Sequence, residues 1–172
     1  DRHGHEAGDD VLKQVAAILR DCVRNTDLTV RWGGDEFVVV YSSADLDDGA
    51  VLAERIRSRI AKHHFRLSSG ATARTSCSIG FVCYPFVRGA PHLLSYEQAL
   101  NVADTALLES KAQRNAWIGW GGTAATHEIT DLFTTLDTNA SSVAAKGGLR
   151  VLSSKYRPDD TVEELIRAAR GR

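Results

Sequence analysis

Arg31-Trp32-Gly33-Gly34-Asp35-Glu36-Phe37 lies where two apolar runs, Leu28 to Trp32 and Phe37 to Tyr41, meet. Glycine accepts a positive φ without steric cost. Paired glycines between β-branched and aromatic runs therefore predict a β-hairpin with Gly33 and Gly34 at its apex. Two acids follow the glycines at once, although acids are poor strand formers. Glycines at an apex also let a ligand approach the backbone closely. Neighbouring side chains of a strand point to opposite faces, so Asp35 and Glu36 reach one ion together only if the chain bends. One carboxylate on each side is the default expectation. A hard ion such as Mg²⁺ takes one or two carboxylates plus phosphate oxygens. A solvated hairpin tip is the plain alternative, and these residues alone leave both open. Val38-Val39-Val40 is apolar on both faces, which predicts a strand in the centre of its sheet.

Outward from the hairpin, helices and short strands alternate. Val11, Val15, Ile18, Leu19 and Cys22 recur at three- and four-residue spacing and predict a helix over 9–24. Val51, Leu52, Arg55, Ile56 and Ile60 predict a second over 47–63, closed by His63-His64. Residues 73–85 read as the long arm of a second strand pair, with 65–67 as partner. A third helix is expected over 96–113 with Ala99, Leu100, Ala103, Ala106 and Leu107 inward, and a closing strand over 116–120. Gly121-Gly122-Thr123 reads as punctuation. Beyond it, 127–136 is weakly helical, 141–148 is small and polar, and 149–153 reads as an edge strand. Thr161-Val162-Glu163-Glu164 is a capping-box pattern opening a last helix. Residues 1–120 are thus expected to form the main domain, and 121–172 a docked β/α extension.

Composition bounds the rest. Among 172 residues, 21 Lys and Arg against 22 Asp and Glu leave a net charge of −1. No basic field covers the chain, which excludes non-specific DNA binding as its main role. The 43% hydrophobic and 25% charged residues are the mix of a folded globular domain. No apolar run approaches the ~20 residues of a membrane helix, and no secretory signal opens the chain. Cys22, Cys77 and Cys83 contain no C-x-x-C pair, so neither a disulfide framework nor a zinc ribbon is expected. A cytoplasmic setting without membrane contact follows. His3-x-His5 lacks further ligands nearby, and packing or capping is the expected use of His5.

Gly33 to Phe37 resembles the signature of the GGDEF family, the diguanylate cyclases. Gly4-His5-Glu6-Ala7-Gly8-Asp9 is similar to the family's Gly-His-x-x-Gly-Asp segment. Ser78-Ile79-Gly80 resembles its later strand. Ala103-Asp104, Lys111 and Arg114-Asn115 resemble its last helix and the turn that follows. Four segments in the right order over about residues 1–120 make the resemblance specific. It implies an α+β, palm-like (ferredoxin-like) nucleotidyl cyclase domain, with a central antiparallel sheet flanked by helices. The implied reaction joins two GTP into cyclic di-GMP and releases two pyrophosphates.

By the same resemblance, Asp35 would bind Mg²⁺ and help activate the attacking 3′-hydroxyl, with Glu36 as a second metal contact. Gly33 and Gly34 would sit against the nucleotide. Asp9 would accept from the guanine edge, a task that suits a carboxylate because N1–H and N2–H can be met together. Lys111 and Arg114 would hold the terminal phosphates. Plain readings stand beside these: Asp9 also fits a helix N-cap, and Lys111 and Arg114 fit cations at a helix C-terminus. Arg24-x-x-Asp27, with five residues between Asp27 and Gly33, resembles the family's product-inhibition site. Arg24 would grip phosphate and a guanine Hoogsteen edge, Asp27 would take a Watson–Crick edge, and Arg55 would be a secondary contact. Taken alone, the tetrapeptide also fits a surface salt bridge at a helix end.

The sequence departs from the family in three places. Members carry, ahead of this segment, a strand with a metal-binding Asp, a Phe-Lys turn and a guanine-reading Asn. The 172 residues open after that Asn, so the resemblance implies an incomplete sheet and one metal carboxylate fewer. Leu108 stands where the family has Tyr, and Lys111 and Arg114 are one residue closer than usual. The expected function is a Mg²⁺-dependent diguanylate cyclase acting as a homodimer under an upstream sensory domain. The alternative is a catalytically impaired domain that serves as a cyclic di-GMP receptor.

Overall fold

The computed structural model describes residues 4–42 and 45–155, with side chains from Glu6 onward. The elements run α1 (Gly4–Cys22), β1 (Leu28–Gly33), β2 (Glu36–Val40), α2 (Leu46–Lys62), β3 (Phe65–Arg66), β4 (Thr72–Ala73), β5 (Ile79–Val82), α3 (Tyr96–Gln113) and β6 (Trp117–Gly122). A 3₁₀ turn (Ala124–Glu128), α4 (Leu132–Ala145) and β7 (Leu149–Ser153) follow.

The expected hairpin forms. β1 and β2 pair antiparallel from Leu28↔Val40 to Arg31↔Phe37 and close at Gly33↔Glu36, with Trp32 as the extra residue of a bulge. Among the described strands, however, β2 pairs only with β1 and is not central. Its apolar character has another cause: Phe37 and Val39 pack against the cluster formed by Ile18, Leu19, Cys22, Leu52, Ile56, Ile60 and Phe65 of α1, α2 and β3, while Val40 is exposed. The α1 stripe packs as its spacing predicts. On α2, Val51 is exposed and Ala53 takes the inward position instead.

The long arm expected over 73–85 is broken in two. β4 pairs with β3 and ends at Ala73, whereas β5 pairs in parallel with β6. The reason is the α3 crossover, because a strand–helix–strand unit returns its second strand parallel to the first. The described strands therefore make three ladders, β1-β2, β3-β4 and β5-β6-β7.

β6 explains how the third ladder is sandwiched. Trp117 points towards α2, where its indole donates to Glu54 at 2.9 Å. Ile118 and Trp120, on the other face, join the core made with Val102 and Ala106 of α3 and Leu136, Ala140 and Val143 of α4. Gly121 and Gly122 continue β6 rather than ending it. Thr123 caps the 3₁₀ turn instead, accepting from the Ala125 amide. The weakly helical stretch divides between that turn and α4, and the small polar stretch supplies the end of α4. β7 is the edge strand expected at 149–153, antiparallel to β6. The capping-box pattern at 161–164 and His3 lie outside the described residues, as does the His5 side chain.

Thr126 is the polar joint of this segment. Its buried hydroxyl donates to the Gly148 carbonyl at 2.6 Å and accepts from the Thr123 amide at 2.7 Å. Thr126→Val keeps the shape and strands both backbone groups. It is expected to lower stability by about 1–3 kcal/mol. Urea unfolding reads this directly, and an unchanged midpoint would remove Thr126 as the joint.

Candidate functional site

The hairpin tip from Arg31 to Glu36 is wholly exposed. Gly34 has φ +48°, a conformation glycine adopts at little cost. A Cβ at Gly33 or Gly34 would meet nothing within 4 Å, so the glycines leave an unobstructed backbone surface. Arg31 bends over the bulge and donates to the Gly34 carbonyl from Nε at 3.0 Å and Nη2 at 2.7 Å. Trp32, 69% exposed, stands beside it.

Lys111, in the last turn of α3, reaches the tip and donates from Nζ to Glu36 at 2.9 Å. That hydrogen bond, helped by the negative charges of Glu36, Asp104 and Asp35, holds the Lys111 ammonium above its ordinary range. The signature hairpin and α3 thus face each other through opposite charges. α3 is fixed at its start by the Ser95–Gln98 capping box. At its end Arg114 and Asn115 take positive φ of 52° and 47°. Asn115 accepts from Arg57 at 3.1 Å, and Arg57 forks Glu54 at 2.6 and 2.9 Å. This network ties α2 to the turn that places Lys111 and Arg114. The Arg114 side chain is exposed and makes no hydrogen bond or ion pair among the described residues, and the same holds for Asp35.

Asp9 departs from its capping reading. α1 begins at Gly4, so Asp9 sits in the second turn, exposed. The neighbouring Asp10 is the engaged acid: the hydroxyl and amide of Ser68 donate to it at 2.6 and 2.7 Å and hold its carboxyl below the usual range. Among the described residues no contact joins Asp9 to the Asp35–Glu36–Lys111 group.

Arg24, Asp27 and Arg55 gather at the end of α1. The Asp27 carboxylate accepts from the backbone amides of Arg24 at 2.8 Å and Ser42 at 3.2 Å, pinning the exit of α1 to the end of β2. The Arg24 guanidinium lies 6.0 Å from the centre of the Tyr41 ring. Arg55 donates to the Cys22 carbonyl at 2.5 Å. The salt-bridge reading of Arg24-x-x-Asp27 is therefore replaced by a backbone-capping Asp beside an exposed arginine.

Whether a metal suits the tip depends on its donors. Among the described residues no three His, Cys, Asp or Glu side chains converge as a cage. Asp35 and Glu36 offer exposed carboxylate oxygens only, a set that fits a hard ion completing its shell with phosphate and water. Cys77 offers no competing chemistry, because burial pushes its thiol up to about 11 and a neutral thiol is neither ligand nor nucleophile.

Sequence reading missed Arg31, the Asp10–Ser68 bond and the Glu54–Arg57–Asn115 network. Arg31 carried a local signal, a cation three residues before a glycine at a turn, and Glu54 and Arg57 carried another, opposite charges three apart on a helix.

The family model for the GGDEF domain of diguanylate cyclases matches residues 1–116. Diguanylate cyclase DosC of Escherichia coli K12 is 37% identical over 111 residues, covering 64% of this chain and 23% of that protein. Diguanylate cyclase A of Treponema denticola is 37% identical over 111 residues, covering 64% of this chain and 28% of that protein. The chain spans about a quarter of the length of these relatives. Among solved structures, the GGDEF domain of TpbB (YfiN) from Pseudomonas aeruginosa superposes with a TM-score of 0.58 at 38% identity, covering 66% of this chain and 63% of that one. Diguanylate cyclase SiaD of the same organism, solved with its activator SiaC, gives a TM-score of 0.58 at 28% identity over 69% of this chain and 44% of that one. The fold is accordingly the palm-like α+β fold of nucleotidyl cyclases. With two thirds of its length matched in this way, the chain belongs to the GGDEF family of diguanylate cyclases.

Proposed function

We propose that this chain is the catalytic half-site of a diguanylate cyclase, which condenses two GTP into cyclic di-GMP with release of two pyrophosphates. The observation that carries the reading is the meeting of Glu36 and Lys111 at 2.9 Å. It brings the acidic edge proposed to hold the metal and the cation proposed to hold phosphate into one place from segments 75 residues apart. Asp35 and Glu36 would hold Mg²⁺, which when bound polarises the α-phosphate and neutralises charge on the leaving pyrophosphate.

The chain's own residues divide the remaining work. Gly33 and Gly34 give the triphosphate an open backbone surface. Lys111 exchanges Glu36 for phosphate oxygens, and Arg114, exposed at the helix end, adds a second cation. Asp9 accepts from the guanine edge. Asp35, which makes no hydrogen bond or ion pair among the described residues, takes the proton of the attacking 3′-hydroxyl. Each domain binds one GTP, so two copies must face each other across a two-fold axis. An upstream sensory domain that arranges this dimer, and a cytoplasmic setting with its nucleotide pool, belong to the same reading. Among the described residues no helix is long and apolar enough to cross a membrane.

The test is incubation with GTP and Mg²⁺ followed by chromatography for cyclic di-GMP. Absence of product from a full-length chain that still binds cyclic di-GMP would instead make it a receptor.

Arg24, Asp27 and Arg55 form the product-inhibition site of this proposal. What supports it is the exposed Arg24 fork beside an Asp27 held in place by two backbone amides. Arg24→Ala is expected to weaken cyclic di-GMP binding by about 1–3 kcal/mol, the scale of one bidentate base contact. Calorimetric titration checks it, and unchanged affinity would remove the site.

A further inference from the structure

We propose that Arg31 is a positioning residue for Asp35, acting through the backbone of the hairpin tip. The inference rests on the cyclase reading above and deepens it. Arg31 places two donors, Nε at 3.0 Å and Nη2 at 2.7 Å, on one oxygen, the carbonyl of Gly34. That carbonyl belongs to the peptide joining Gly34 to Asp35. A peptide unit is planar, so holding its oxygen also sets the direction of the Asp35 N–Cα bond.

The tip needs such a hold for three reasons. Gly33 and Gly34 are adjacent, and glycine moves between positive and negative φ at little cost. The ladder is already irregular there, with Trp32 bulged between the Arg31 and Gly33 pairings. Asp35 itself has no hydrogen bond or ion pair among the described residues to steady it. Glu36 is anchored by Lys111 on the far side. Without Arg31, the Gly34–Asp35 peptide would lose the side-chain hold on its carbonyl.

The planar fork explains why arginine stands here. Two nitrogens of one rigid group converge on the carbonyl, which fixes both its distance and its direction. A lysine ammonium keeps the charge but makes a single rotatable contact. Arg31→Lys therefore separates the clamp from the charge.

The experiment uses the full chain. In the parent protein, ¹⁵N relaxation of the Asp35 amide is expected to give an order parameter near the ~0.85 of rigid backbone; in Arg31→Lys it falls towards the flexible range below ~0.6. Gly34→Asn in the Arg31→Lys background restores rigidity, because asparagine tolerates positive φ and its Cβ meets nothing within 4 Å. In turnover assays Arg31→Lys lowers kcat by about 10–100-fold, the cost of a misplaced reacting group, with KM for GTP within about twofold. An order parameter unmoved by Arg31→Lys would overturn the proposal. So would a raised KM with kcat kept, since Arg31 would then contact phosphate directly. If the parent protein makes no cyclic di-GMP, the relaxation series still decides the clamp, and only the cyclase reading is lost.

Discussion

Asp35→Asn is expected to reduce cyclic di-GMP formation by at least about 10²–10⁴-fold, the range lost when a positioned proton acceptor is removed. Asparagine keeps the size and the hydrogen-bonding reach of the side chain. It removes the negative charge and the ability to take a proton, the two properties that the proposed role uses. The structure makes the variant clean. Asp35 is exposed and makes no hydrogen bond or ion pair among the described residues, so its loss should move stability by no more than about 0.5 kcal/mol. Glu36 does not replace it, because Glu36 already serves as the proposed second metal contact. Steady-state assays over a range of Mg²⁺ concentrations, paired with a melting curve, check the result. Retained turnover in a folded Asp35→Asn protein would move the chemistry away from the signature hairpin.

What could be read from sequence divides along a physical line. The helices were legible because their apolar stripes recur at 3.6 residues: Ile18, Leu19 and Cys22 of α1, and Leu52, Ile56 and Ile60 of α2, are buried where the period places them. The hairpin was legible because a positive φ at its apex favours glycine, although Gly34 alone takes it and Gly33 ends β1. Partnership between distant strands was not. The run Val38 to Val40 is apolar on both faces and carries no mark of which face is covered: the cluster of α1, α2 and β3 covers the Phe37 and Val39 face, and Val40 stays exposed. The polar stretch 74–78 carries no mark that separates one long strand from two, so the parallel pairing of β5 with β6 came only with the α3 crossover.

At the site, residue types were legible and their partners were not. Lys111 and Glu36 were each assigned to a ligand, and the structure pairs them with each other. Asp9 and Asp10 are adjacent and chemically alike, yet only Asp10 meets Ser68, 58 residues away. Bonds over such separations leave no local pattern for a sequence to display.

Gly80→Ala is expected to be the most disruptive single-methyl change in the domain. β5 crosses beneath α3 at Gly80. A Cβ there would lie 2.1 Å from the Leu107 amide nitrogen, 2.3 Å from the Ala103 carbonyl oxygen and 2.6 Å from the Leu107 Cα. All three are backbone atoms of one helix, so no rotamer change relieves them. α3 would have to retreat by over an ångström against a close-packed core containing Val102, Ala106, Ile118 and Trp120. Overpacking commonly costs about 1–3 kcal/mol, and a rigid-body clash belongs at or above the upper end. For a domain of this size that lowers Tm by roughly 6–12 °C. Function should fall with it, because Lys111 lies one turn beyond Leu107 on the displaced helix and would move off Glu36. Gly33→Ala is the matched control for stability: its Cβ meets nothing within 4 Å and its φ is not positive. Thermal melts of the two variants side by side test the close approach. A Gly80→Ala protein as stable as Gly33→Ala would mean that α3 does not rest on the β5 backbone, and the placement of Lys111 at the hairpin tip would lose its structural basis.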